Sequence, residues 1–428
     1  MNAFKRVLSL LGLTAVCVSC GGGSSSPQPA TQSPPPDPGQ PGVFADETSE
    51  RLPAVLNVAV RAAGGDIDDD GDVDIVVTTG PHTGARAVPP EDMVLQINNG
   101  QGVFANEANA RLPVTAFGPQ HANAAILGDV DGDADLDIFV ANGVTAVNVA
   151  GYQDWLWLND GFGNFTDVTA TNLPANAVHS LDAAFHDIDN DGDLDVFMAV
   201  TDNLGTRGQN RLLINDGAGV FSDETALRLP ALQDISLAVA IEDLDGDGDA
   251  DIVVANRQMN GSRIMINNGI GVFADESAIR FLSLPPFAGD VVAQDLNGDD
   301  SPDLVFARYF EGTPVVFINS GAGLFTEETN ERTPVFDGGH GVAIADVDED
   351  GDADMFVTTG ERSRLLLNDG SGTFEDATET NLPVDSAVIR YPEFVDVDSD
   401  GDADLYLPES TEGDSSQDLL WINLGRPQ

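Results

Sequence analysis

Lysine is almost absent. Its one occurrence in 428 residues is Lys5, and Lys plus Arg total 18 against 72 Asp plus Glu, a formal charge of −54. A nucleic-acid binder needs a basic face to displace counterions from phosphates, so this composition argues against one. The same balance excludes a polybasic membrane-surface protein. Cysteine is equally scarce: Cys17 and Cys20 are the only two. The body therefore holds neither a disulfide framework nor zinc-finger spacing. There are five histidines and no nucleophile elbow, phosphate-binding loop or zinc motif. No hydrophobic run is long enough to span a bilayer. Apolar residues still make up 42 % of the chain, enough for a core, so the acidity does not signal disorder. Length alone predicts about three domains, a prior that the repeats below overrule.

Lys5 and Arg6 precede an apolar run from Val7 to Val18, which ends at Cys17-Val18-Ser19-Cys20. A charged start and a short apolar run form a signal-peptide pattern. Residues 1–19 resemble a bacterial lipoprotein signal peptide, with Cys20 as the lipidated residue and the small Ser19 before it. Cys17 stands where that family usually has Leu, and an ordinary secretory signal is the alternative reading. Gly21, where Asp would retain a lipoprotein at the inner membrane, implies sorting to the outer membrane, facing the periplasm or the cell surface. Residues 20–41 are rich in Gly, Ser and Pro and lack apolar periodicity. Such a stretch cannot bury enough surface to fold, and at about 3 Å per residue it is a tether of some 60 Å.

The body, residues 42–428, repeats an aspartate ladder seven times. The copies are Asp66, Asp68, Asp70, Asp72, Asp74; Asp129, Asp131, Asp133, Asp135, Asp137; Asp187, Asp189, Asp191, Asp193, Asp195; and Asp243, Asp245, Asp247, Asp249, Asp251. The remaining three are Asp295, Asn297, Asp299, Ser301, Asp303; Asp346, Asp348, Asp350, Asp352, Asp354; and Asp396, Asp398, Asp400, Asp402, Asp404. A small-apolar run such as Leu237–Ile241 precedes each ladder, and a β-prone run such as Ile252-Val253-Val254 follows it, which predicts a hairpin. A second hairpin follows, as in Ile214-Asn215-Asp216-Gly217-Ala218-Gly219-Val220-Phe221. Four short strands in a unit of roughly 50–60 residues predict a propeller blade.

The chain ends select a closed ring over an open array. Leu420–Gly425 is a strand and turn without a partner, and Gly42–Thr48 is a partner without a preceding strand. Joined, they make a seventh copy and leave no sticky edge. The expected fold is all-β: a seven-bladed β-propeller of four-stranded blades, closed by pairing of the N-terminal strand with the C-terminal blade.

The Gly-x-Phe turns and the Asp-x-Asp-x-Asp-Gly ladders resemble the FG-GAP/VCBS repeats of integrin alpha-chain propellers and of many bacterial surface proteins. The resemblance covers Gly42 to Gly425. It implies a surface binding module, and it includes adhesion modules, glycan binders and some polysaccharide lyases; fold alone does not choose among them.

The ladders hold about half of the chain's 72 acidic residues. Carboxylates that close repel one another. Ca²⁺ takes 6–8 oxygen ligands and removes the conflict. Ladder positions one, three, five and nine offer side chains, position seven a main-chain carbonyl, and Gly at position six permits the turn. An EF-hand would need a Glu at position twelve and flanking helices, and Mg²⁺ rarely uses an all-protein cage. Up to seven structural Ca²⁺ are expected, each stapling a hairpin within its blade. A metal-free Asp/Gly turn is the competing account. Ala134 occupies the glycine position of the second ladder, and neutral Asn297 predicts weaker binding in the fifth. A lysine-poor acidic surface stays hydrated at high salt, so the remaining acid points to a marine or halophilic habitat, or to lineage bias in codon use.

Recognition is expected on the face opposite the ladders, where the loops 80–92, 143–154, 202–210 and 409–418 are long. Tyr152, Tyr309 and Phe310 could stack on sugar rings or pack locally. Arg86, Arg207, Arg257, Arg308 and Arg362 could clamp a carboxylate or sulfate, or pair with neighbouring acids. His121, His179 and His340, with Tyr152, are the candidate catalytic groups of an alternative reading, an extracellular lyase for uronate polymers. His186 is expected to orient within its loop rather than to act as a ligand. The leading reading is a lipid-anchored, calcium-binding propeller for an extracellular glycan or a cell-surface protein, without nucleic acid as a partner.

Overall fold

The computed structural model describes residues 43–425 apart from 56–57, 81–92, 115–120, 144–151, 176–177, 202–206, 258–260, 284–285, 309–311, 337, 385–387 and 411–416. Seven antiparallel sheets of four strands each follow one another in a ring, a seven-bladed β-propeller. Blade three shows the plan, with strands His179–His186, Asp195–Thr201, Arg211–Asn215 and Phe221–Asp223 from the axis outward. The ladder Asp187–Asp195 is the turn between the two innermost strands, where His186 pairs with Asp195. The Asn/Gly turn joins the two outer strands, where Asn215 pairs with Phe221. Both turns therefore lie on the same face.

Side chains of a strand alternate between its two faces, and here both faces are covered. Val196, Met198 and Val200 pack with Phe139 and Leu156 of blade two. Phe197, between them, packs with Ile252 and Val254 of blade four. That explains why the second strands are continuous apolar runs: Val196–Val200 is at most 2 % exposed. Each such side chain contributes about 1.5–3 kcal/mol by leaving water. Near the axis the strands converge, and the innermost strands use Ala and Gly. A Cβ on Gly128 would lie 2.8 Å from Leu194 Cδ1, so alanine there would require that side chain to shift.

The seventh sheet is composite. Phe44–Asp46 pairs antiparallel with Leu419–Asn423, Phe44 opposite Asn423 and Asp46 opposite Trp421. The register continues through Glu47 N–H to Leu420 O at 3.1 Å and Leu424 N–H to Val43 O at 3.0 Å.

The structure adds helices that the strand reading did not contain. Among the described residues, seven single-turn helices follow the outermost strands: Thr48–Arg51, Ala108–Arg111, Thr169–Asn172, Thr225–Arg228, Ser277–Arg280, Thr329–Arg332 and Thr378–Asn381. One turn is too short for periodicity to reveal. In six of the seven, a Thr or Ser hydroxyl opening the helix accepts a hydrogen bond from the third strand, as in Leu212 N–H to Thr225 Oγ1 at 3.0 Å. None of the helices is long and apolar enough to cross a membrane.

Candidate metal centres on the ladder face

Every ladder is held by its own N–H groups. The position-one carboxylate accepts from positions five and six: Asp66 takes Asp70 N–H and Gly71 N–H, both at 3.1 Å. Position five accepts from position seven, as in Asp72 N–H to Asp70 Oδ1 at 3.1 Å. Position nine is buried at the start of the second strand and ties three segments together. Asp74 accepts Ile67 N–H at 3.1 Å on one oxygen and Asn98 N–H at 2.7 Å on the other.

The chain turns so tightly that positions four and six of all seven ladders have positive φ. The sequence reading assigned this need to position six alone. Ala134 does sit there at φ 78, and Asp300 occupies the same place at φ 65; both have a glycine at position four, Gly132 and Gly298. Each ladder thus keeps at least one glycine for its two left-handed positions.

Position three differs from its neighbours. In Asp68, Asp131, Asp189, Asp245 and Asp398 the Oδ1 atom is buried and has no hydrogen-bond donor. A buried carboxylate oxygen without a partner costs the desolvation of a charged group. Carboxylate oxygens also gather within 4.8 Å of one another in Asp66, Asp68 and Asp70; Asp129, Asp131 and Asp137; Asp187, Asp189 and Asp191; Asp243, Asp245 and Asp251; and Asp346, Asp348 and Asp354. Positions one and three belong to all five groups, completed by position five or nine. An all-oxygen anionic set with an orphaned member fits a hard dication such as Ca²⁺. Position seven faces elsewhere: a Cβ on Gly100 of the Asn/Gly turn would lie 2.5 Å from Asp72 Oδ2, so this carboxylate lies against the turn glycine.

Burial, reinforced by neighbouring ladder carboxylates and opposed by N–H donors, pushes the position-nine carboxyls up. Asp74, Asp137, Asp195 and Asp251 rise to about 7, and Asp354 and Asp404 to about 8. Asp303, in the ladder containing Asn297, rises only to about 6. A bound dication would hold these groups ionised.

The ladders also lie at the seams between blades, which the sequence did not reveal. Asn159 Nδ2 of blade two donates to Ile67 O in the ladder of blade one at 2.8 Å. The same bond recurs from Asn98 to Val397 O, Asn215 to Val130 O, Asn267 to Ile188 O, Asn319 to Leu244 O, Asn368 to Leu296 O and Asn423 to Val347 O. By sequence these seven asparagines are turn formers; their buried amides also join each blade to the preceding one all round the ring. A second clasp comes from the helix ends. Arg111 spans from Asp68 Oδ2 of its own blade, at 3.2 Å, to Phe162 O in the turn of the next, at 2.5 Å. An ion in a ladder would therefore brace a seam as well as the hairpin.

The opposite face is less regular. His179 opens the innermost strand of blade three and is buried. His121 opens that of blade two, and His340 precedes that of blade six, on the far side of the ring. Tyr152 is half-buried and bridges to Val178, alongside His179. Arg362 is engaged by Glu379 at 2.7 Å and by the carbonyls of Thr378 and Leu382. Arg257 and Arg207 are exposed, Arg308 is half-buried, and Arg207 bridges to Thr201. Arg86, Tyr309, Phe310 and Cys20 lie outside the described residues. His186 Nδ1 lies 3.2 Å from Asp187 O, inside its loop.

The channel holds a cluster that the sequence reading missed. Arg61, on the innermost strand of blade one, places Nη2 3.5 Å from Asp182 of blade three and 3.8 Å from Asp290 of blade five. Blades three and five are not neighbours of blade one, so the side chain reaches across the axis. Its guanidinium lies 3.7 Å from the centre of the Tyr391 ring. Burial raises Asp290 to about 6 and nearby Glu393 to about 7, with the charge of Arg61 opposing both shifts. The available signal was a lone Arg in an Ala/Gly-rich innermost strand.

Fold and ladders together define a class: a seven-bladed propeller with acidic inter-strand loops suited to divalent ions. The family model described as FG-GAP-like repeat matches residues 66–140, 129–198, 187–254, 243–306, 295–357 and 346–407, and the chain belongs to this family. Among solved structures it is similar to BBS1N in complex with ARL6DN, with a TM-score of 0.54 and 11 % identity over 91 % of this chain and 99 % of that one. It is more distantly similar to an Agrocybe aegerita lectin that recognises non-reducing terminal N-acetylglucosamine, with a TM-score of 0.48 and 19 % identity over 76 % and 81 %. No curated protein matches the chain.

Proposed function

We propose that the protein is an exported binding module: a calcium-braced propeller, tethered through residues 20–41 to a lipid on Cys20 at the outer membrane, that presents the face opposite the ladders to a glycan or a cell-surface protein. The observation that carries the metal part is the orphaned position-three carboxylate oxygen, buried beside two further carboxylates in a loop already shaped by its own N–H groups. The binding part is supported by the contrast between faces. The ladder face is occupied by its own repeating network, whereas the sequence gives the other face loops of unequal length, and rigid scaffolds with variable loops are where recognition concentrates. The lyase reading is not carried forward, because no observation favours it: His179 is buried and His340 belongs to the far side of the ring.

The test is retention of the chain from Gly21 onward on immobilised acidic and neutral polysaccharides, with calcium and with chelator. Calcium-dependent retention on one polymer is the expected result. Retention on none redirects the search to a protein at the cell surface, and retention unaffected by chelator removes calcium from the account of binding.

A further inference from the structure

We propose that the last residue of each single-turn helix sets the calcium affinity of the ladder beside it, so that the ladders form distinct affinity classes. This rests on the calcium reading above and goes beyond it.

The helix ends are Arg in five blades and Asn in two, Asn172 and Asn381. Four of the arginines pair with a position-three carboxylate: Arg51 with Asp398 at 3.0 Å, Arg111 with Asp68 at 3.2 Å, and Arg228 with Asp189 and Arg280 with Asp245, both at 2.8 Å. In all four aspartates the arginine takes Oδ2 and leaves Oδ1, the orphaned oxygen, for an ion. The guanidinium cannot swing away freely. The Glu four residues earlier holds Nε, as Glu276 holds Arg280 at 2.8 Å, and a carbonyl of the next blade holds Nη1, as Ala322 O does at 2.9 Å.

A fixed cation on one oxygen of a ligand opposes a dication on the other. At a separation of roughly 6 Å in a partly wet site, Coulomb repulsion weakens binding on the order of tenfold or more. Asn172 shows that the clasp does not require charge: its Nδ2 donates to Gly219 O of the next blade at 3.0 Å, while Asp131 beside it keeps its orphaned Oδ1. The ladders of blades two and six, next to Asn172 and Asn381, are therefore the tight sites, and those of blades one, three, four and seven are weaker. Blade five is weakest, because Arg332 remains while position three is neutral Asn297, whose amide donates to Asp303 Oδ2 at 3.3 Å.

The experiment counts calcium ions on the chelator-stripped propeller by native mass spectrometry as free calcium is raised. The expected result is two ions taken up first, removed one each by Asp131→Asn and Asp348→Asn. Asn172→Arg should move one tight ion to at least tenfold higher calcium, and Arg111→Gln should move one weak ion into the tight class. Because Arg111→Gln opens a seam contact and could impair folding, Asn172→Arg is the independent arm, with circular dichroism on both. Ions of uniform affinity, or an Arg111→Gln protein whose site weakens, would overturn the proposal and leave the calcium reading intact. No bound calcium at millimolar supply would overturn the calcium reading itself, and this proposal with it.

Discussion

The seams on the ladder face and the channel at the axis both hold blades together, by opposite means. At the seams one amide-to-carbonyl bond is written seven times, from Asn98 to Asn423, and each copy is neutral and buried. At the axis Arg61 serves carboxylates from blades three and five, an ion-pair arrangement that no other blade repeats among the described residues. Repetition spreads stability, so that losing one copy removes one seam. The channel concentrates it: three acids, Asp182, Asp290 and Glu393, face one arginine, and losing that arginine strands charges that cannot reach water freely.

The largest expected effect is on the repeated side. Each ion bound at one hundred times its dissociation constant contributes about 2.7 kcal/mol, so removing several ions together costs on the order of 10 kcal/mol. Calorimetry with and without chelator should show a large fall in the unfolding temperature; an unchanged temperature would mean that the N–H groups alone hold the ladders. Next comes Arg61→Met, which should cost about 3–5 kcal/mol in urea unfolding with calcium present, because Asp182 and Asp290 lose their cation. A smaller loss would show that these carboxyls are already neutral. Asn215→Ala should cost about 2–3 kcal/mol, since it orphans Val130 O and Leu194 O at one seam only. An effect as large as that of Arg61→Met would erase the distinction between spread and concentrated stability.

A last effect, read as a slope rather than as a loss at one pH, is a pH dependence in the channel. Glu393 titrates near 7 when folded, against about 4.5 in an open chain, and Asp290 near 6. The unfolded chain releases these protons first, so their contribution to folding stability is greatest at low pH, falls as pH rises from about 4 to 7, and is flat above. Measured with calcium saturating, to keep the ladders ionised, Glu393→Gln should remove the upper part of that slope. A slope that persists unchanged would assign it to other groups.

The contrast also explains what could be read in advance. The ladders were legible because each is a local object: Asp66 reaches only to Gly71, and Asp74 only to Ile67 and Asn98. Spacing and residue type suffice where a loop closes on itself. Ala134 was legible as an exception at the glycine position, but the second left-handed position, held by Asp69, Asn190, Glu349 and Ser399, was not, since these residues do not signal positive φ as glycine does. The seam asparagines were visible only as turn formers, because their partners lie far away in sequence, as Val397 does from Asn98. The helix-end arginines carried the same ambiguity; as polar residues just before an apolar or proline-containing stretch they gave no sign of touching a ladder.

What the amino-acid sequence determined by itself is the unit: two hairpins, the first closed by an acidic turn and the second by an Asn/Gly turn, four strands in all. Each unit is fixed by contacts within one blade, and seven copies bring seven sheets. What only the tertiary structure decided is everything that crosses between units, namely which face of each second strand meets which neighbour, which carbonyl each asparagine reaches, which carboxylate each arginine takes, and that Arg61 meets two distant blades. The physical reason is geometric. Those partners come within reach only when wedge-shaped blades are packed around a common axis, and the ring sets distances that no single repeat contains.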